Sequence, residues 1–189
     1  MRWLMLYARS RQVPASAAAV TLVALALWAL DRGKDPVGLG IAALVLTANV
    51  AAASVGLGGQ DAALDRTAAI RWMPRRAAHV LLLGAVAAAA LLAVRAAGPN
   101  LAPAAILVRD GAGLAGLAAL GAVLCGAPLA WTLPTGWLAF TVCVPPPGGA
   151  AGQVVSWMIF PPGTAAATGT AWALLVAGTV LYAAAGPRR

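Results

Sequence analysis

The chain has no glutamate, a single lysine (Lys34) and a single histidine (His79), and charged residues make up only 10% of its 189 positions. Each shortage removes a class of chemistry. A zinc protease needs two histidines and a glutamate in H-E-x-x-H, which this composition does not supply. A phosphate-binding loop needs its lysine in G-x-x-x-x-G-K-[ST], whereas Lys34 stands in Asp31-Arg32-Gly33-Lys34-Asp35. The chain is therefore expected not to hydrolyse nucleotide and not to be an enzyme. Ser10, Ser16, Ser54 and Ser156 have no G-x-S-x-G context for a hydrolase nucleophile. Asp110-Gly111 matches the opening of a lipid-head-group transferase motif, but the later aspartates that would hold its metal are missing. Two cysteines, Cys125 and Cys143, do not make a disulfide framework; lying inside apolar segments, they are expected to be small packing residues.

The shortage of charge also excludes a water-soluble fold. A soluble domain of this size covers itself with about 25% charged residues. Here 62% of residues are hydrophobic and the mean hydropathy is +0.87, so lipid has to replace water around most of the surface. The net charge of +8 raises the question of nucleic acid. Its arginines, however, stand at the borders of apolar segments, with no basic stripe and no interleaved aromatics, so no nucleic-acid partner is expected.

The expected fold is an all-α integral membrane protein, a single transmembrane domain over 1–189 with six spans. Residues 1–12, which combine Trp3, Leu4, Met5, Leu6 and Tyr7 with Arg2, Arg9 and Arg11, read as an interfacial helix. The first span, 13–30, ends in a charged turn instead of a small-residue cleavage site, so it is read as retained. Further spans are expected at 36–58, 77–97, 104–127, 129–144 and 164–185. Asn49 falls near the middle of the second and should face another helix, because an unpaired amide in lipid is costly. The smooth third span should pack by shape and carry no chemistry. Gly113 and Gly116 lie in the glycine-rich fourth span, where helix backbones should approach most closely. Arg109 and Asp110 near its start are adjacent, about 100° apart around the helix, and need not pair. Trp131 and Trp137 read as interfacial belt residues. Residues 145–163 form a proline-bracketed apolar piece too short to cross, and read as a re-entrant segment. No span offers an ionisable residue at mid-depth, which argues against ion-coupled transport.

Six spans place both termini on one side. That side would hold Arg2, Arg9, Arg11, Arg66, Arg71, Arg75, Arg76, Arg188 and Arg189, against Arg32, Lys34, Arg95 and Arg109 on the other. The bias puts the termini in the cytoplasm of a multi-pass plasma-membrane protein. It also puts there the longest polar interruption, 59–76. Within it Asp61 and Asp65 are four apart on one helical face, followed by Arg66, Thr67, Arg71 and Trp72 before Pro74 stops the helix; Arg75, Arg76 and His79 mark the membrane boundary.

The run DAALDRTAAIRWMPRRAAH, set in a six-span layout with an interfacial first helix and a broken piece between spans five and six, resembles the membrane subunits of ABC-2-type exporters of bacterial, in particular actinobacterial, type. The resemblance implies a permease subunit working as a homodimer or heterodimer in the lipid bilayer with a cytosolic ABC ATPase dimer. Asp61, Asp65, Arg66, Thr67, Arg71 and Trp72 would form its coupling loop. ATP and magnesium would then reside in the partner, with no cofactor or metal in this chain. The competing expectation is an accessory or immunity membrane protein that anchors a cytosolic partner without transporting.

Overall fold

The structure, a computed structural model, describes residues 38–58, 72–96 and 102–188, and every regular element among them is helical. Six α-helices follow in order: α1 (Leu39–Ser54), α2 (Trp72–Ala96), α3 (Ala104–Leu124), α4 (Thr132–Cys143), α5 (Gly149–Val155) and α6 (Ala165–Ala185). Short 3-10 turns at Val55–Leu57, Ala127–Leu129 and Trp157–Ile159 join or extend them. The long helices end where the sequence supplies a residue that leaves helical dihedrals without strain. Gly126, just past α3, has φ 96°, and Gly186, just past α6, has φ 72°, a region that glycine alone enters freely.

Four helices are long and apolar enough to cross a membrane: α1 with its 3-10 turn (Leu39–Leu57), α2, α3 and α6. Their outward faces are apolar too, with Leu82 61% and Val176 60% exposed. A band of this kind is unfavourable against water and suits hydrocarbon. These helices mark a multi-pass membrane protein. The expected interfacial helix 1–12 and first span 13–30 lie outside the described residues.

The fifth expected span, 129–144, is different in form. Gly126 turns the chain and Pro128 sits in a 3-10 turn, so α4 begins only at Thr132 and has 12 residues. That is about 18 Å of helix, short of the roughly 30 Å of a hydrocarbon core. The start of the third expected span also shifts. The helix already includes Trp72, Pro74, Arg75 and Arg76. Pro74 therefore does not stop a preceding helix: as the third residue of α2 it stands in the first turn, where a missing N–H breaks no helical bond.

Packing fixes the directions. Gly84 on α2 approaches Ala115 and Gly111 on α3, and Gly111 approaches Ala88, so α2 runs opposite to α3. Gly113 lies near Ala171, Gly116 near Leu174 and Leu175, and the Arg188 amide donates to the Ala122 carbonyl at 2.9 Å. Hence α6 runs parallel to α3. α1 ends beside the end of α6, where the Tyr182 hydroxyl donates to the Leu57 carbonyl at 2.6 Å. One end of the bundle thus gathers residues 57–58, 72–76, 124–130 and 182–188. Because α3 and α6 run the same way, residues 125–164 must carry the chain back along the bundle between them. α4 does so: Ala130 backs onto Gly121, and the Trp137 indole N–H donates to the Val155 carbonyl at 2.8 Å. Trp137 is a strut between α4 and α5, not a belt residue.

α3 is the axis of this arrangement because its small residues face different neighbours in turn. Gly111 meets α2, Gly113 the Trp157 ring, Gly116 α6, and Gly121 the backbone of Ala130. It is accordingly the most buried of the four long helices.

Candidate functional site

Of the residues expected to couple to a partner, Asp61, Asp65, Arg66, Thr67 and Arg71 lie outside the described residues. Trp72 belongs to the first turn of α2, so it is part of a long helix and not of a separate docking helix. Arg75 lies over the Trp72 ring, 5.8 Å from its centroid. Arg76 packs on Gly186, and His79 is half-buried one turn further along α2. The described residues on either side of 59–71 therefore lie at the same end of the bundle.

Asn49 is fully buried in α1, which packs on α2, α3 and α4. Neither its amide nitrogen nor its oxygen has a hydrogen-bond partner among the described residues, so the polar contact expected of it is not among them. Gly113 and Gly116 both lie where α3 is approached closely. A Cβ on Gly113 would sit 2.5 Å from the Trp157 ring, and one on Gly116 would run into the Leu174 carbonyl. Cys125 and Cys143 are exposed at helix ends and do not fill the core as expected; the chain leaves each helix at these positions, before any neighbour covers them.

The densest polar arrangement was not among the expected sites. Arg109 is 4% exposed and Asp110 0%, although the sequence presents them as charges near a span's boundary. The Arg109 Nε donates to Asp110 Oδ1 at 2.8 Å. One terminal nitrogen donates to the carbonyls of Trp157 (2.9 Å) and Phe160 (3.0 Å), and the other to that of Pro161 at 3.4 Å. The two residues do pair, which their 100° offset left open. The arginine side chain is long enough to fold back along the helix, and the charge would otherwise be buried alone.

The partner carbonyls explain why Arg109 is there. After α4 the chain turns through Pro145-Pro146-Pro147 and enters α5, which breaks at Ser156. Trp157 and Met158 are fully buried, and Pro161-Pro162-Gly163 leads out to α6. A broken helix leaves carbonyls without intrahelical donors. The Trp157 carbonyl, buried in an apolar bundle, needs a partner, and the five-donor fork of one guanidinium serves it together with the less buried carbonyls of Phe160 and Pro161. Asp110 neutralises that guanidinium. The segment thus enters and leaves from the end opposite to Arg76, with Trp157 filling the notch at Gly113.

Asp110 Oδ2, Ser156 Oγ and Trp157 Nε1 are buried without hydrogen-bond partners among the described residues. An apolar groove of about 340 Å³, lined by residues such as Leu81, Gly84, Ala88, Leu92, Val108 and Leu175, lies along α2, α3 and α6. It lacks the convergent polar groups that orient a small-molecule ligand. Among the described residues, no group of three His, Cys, Asp or Glu side chains is placed to hold a metal ion. The arrangement clamps a broken helix inside a bundle; it holds no nucleophile–base pair. Comparison with known proteins finds no matching family model, no matching curated protein and no matching solved structure.

Proposed function

We propose that the chain is a membrane-embedded permease subunit driven by a separate cytosolic ATPase, docked through the polar loop between α1 and α2. The observation that carries the reading is the anchoring of that loop. α1 ends against Tyr182 and α2 begins with Arg76 against Gly186. A push on residues between them would reach both helices, and through Gly84 and Gly111 the central helix α3. The layout adds support. The loop leaves from the end that carries Arg75, Arg76 and Arg188, which the positive-inside bias assigns to the cytoplasm. The broken segment held by Arg109 enters from the opposite end, as a re-entrant element facing the exterior would. The 125–144 return, together with the span expected at 13–30 outside the described residues, would complete a six-span subunit, and a second copy would complete the transport path.

The test is charge reversal in the loop. Asp65→Arg adds positive charge on the proposed inner side, so membrane insertion should survive. A charge-assisted contact in a buried interface is worth about 2–5 kcal/mol, so the variant should lose both co-purification with its ATPase and stimulation of ATP turnover. Normal insertion with both properties unchanged would leave the loop as a topology signal and the chain as an anchoring protein.

A further inference from the structure

We propose that the end of the bundle formed by Arg76 and Arg188 binds the phosphate of an anionic phospholipid headgroup. The proposal rests on the membrane location of the four long helices and is independent of any ATPase partner.

Arg76 is the observation that points to a ligand. Its guanidinium is half-buried and seated on Gly186, where an added Cβ would lie 2.9 Å from Cζ and from one terminal nitrogen. The glycine itself is set by its backbone, with φ 72°. Yet among the described residues no hydrogen bond, ion pair or ring contact reaches the Arg76 side chain, although it offers five N–H donors. The only described carboxylate, Asp110, lies towards the opposite end of the bundle and is engaged by Arg109. A partly desolvated cation without a counter-charge is unfavourable, and an anion from outside the protein would remove the penalty.

Arg188 places a second guanidinium at the same end of the bundle. It follows Gly186 by two residues, and its backbone is pinned to α3 through the Ala122 carbonyl. Its Nη1 spends one donor on the Leu124 carbonyl at 3.1 Å, leaving the others exposed. Arg75, adjacent on α2 and stacked over Trp72, contributes a third positive charge at the rim, and the first turn of α2 adds the positive end of its dipole. Arginine forks match phosphate oxygens two at a time.

An amphiphile fits better than a free anion because the same helices are apolar immediately towards the bundle's middle. Leu81 is 50% and Val180 59% exposed. A headgroup at Arg76 and Arg188 would lay its acyl chains along such surface.

The experiment uses the full chain purified in a neutral detergent. Its melting temperature is followed while phosphatidylglycerol, phosphatidylcholine or soluble glycerol 3-phosphate is added, and retained lipids are counted by native mass spectrometry. Phosphatidylglycerol should raise the midpoint and persist as adducts, while phosphatidylcholine and glycerol 3-phosphate should do neither. Arg76→Gln combined with Arg188→Gln should abolish the difference between the two lipids, and Arg95→Gln at the opposite end should preserve it. Equal effects of the two lipids would overturn the proposal, as would the full shift from glycerol 3-phosphate alone. Retention of the lipid preference in the double variant would also overturn it. If that variant does not fold, the wild-type comparison of the three ligands decides alone.

Discussion

At the scale of single residues, the one buried ion pair among the described residues is more a clamp than a charge. Replacing Arg109 by Met would strand Asp110 in the interior and leave the carbonyls of Trp157 and Phe160 without their arginine donor, while that of Pro161 would keep Thr164. Breaking one side of a buried pair typically costs about 3–5 kcal/mol. Arg109→Met should therefore lower the melting temperature and expose the 156–161 stretch to proteolysis. Because the two residues act together, Arg109→Met with Asp110→Asn should be less destabilised than the sum of the single variants, by about 0.5–3 kcal/mol in a double-mutant cycle. Additive effects would show that Asp110 does not offset the buried guanidinium. The sequence conceals this pair because burial at position 109 is created by a segment about fifty residues downstream. Seen on their own helix, Arg109 and Asp110 resemble any charges near a membrane boundary. Asn49 shows the reverse: its burial follows from its place in an apolar run, while its partner does not.

At the scale of the element, α3 holds the bundle through its glycines, and they are not equivalent. Gly116 and Gly178 bring the α3 and α6 backbones together, so a Cβ on either would meet backbone atoms that no rotamer change can move aside. Gly116→Leu should separate the helices at an overpacking cost of about 1–3 kcal/mol, with loss of the folded, monodisperse protein in detergent. Gly136→Ala and Gly169→Ala, where an added Cβ meets nothing within 4 Å, should leave melting unchanged. Loss of stability in those two variants would mean that glycine content, and not close approach, sets tolerance in these helices. Three of the long helices were legible within a few residues from their apolar runs, namely Leu39–Leu57, Ala104–Leu124 and Ala165–Ala185. Hydropathy misplaced the start of α2, because Pro74 reads as a stop and the arginines beside it as a loop, whereas a proline in a first turn does neither. It also overran α4. Residues 129–144 are mainly apolar, but the turn begun at Gly126 and Pro128 takes in Leu129, Ala130 and Trp131, and hydropathy does not register backbone geometry.

At the scale of the whole molecule, the two native cysteines report which end of the bundle faces outward. Cys125 caps α3 at the end that carries Arg76 and Arg188; Cys143 is the last residue of α4, which runs the opposite way. Both thiols are exposed, and each can be left alone by replacing the other with serine. If the basic end is cytoplasmic, a membrane-impermeant maleimide added to intact cells should label Cys143 in the Cys125→Ser variant. It should label Cys125 in the Cys143→Ser variant only after the membrane is opened. Gly148→Cys in a background without native cysteines, just after the prolines that follow α4 and where an added Cβ meets nothing within 4 Å, should behave as Cys143 does. The reversed pattern would place the arginine-rich end outside, against the positive-inside bias, and would remove the 59–71 loop from reach of any cytosolic ATPase. Labelling of both native cysteines from the same side would contradict the packing itself. α4 returns the chain along the bundle between the parallel helices α3 and α6, so the two thiols must sit at opposite ends.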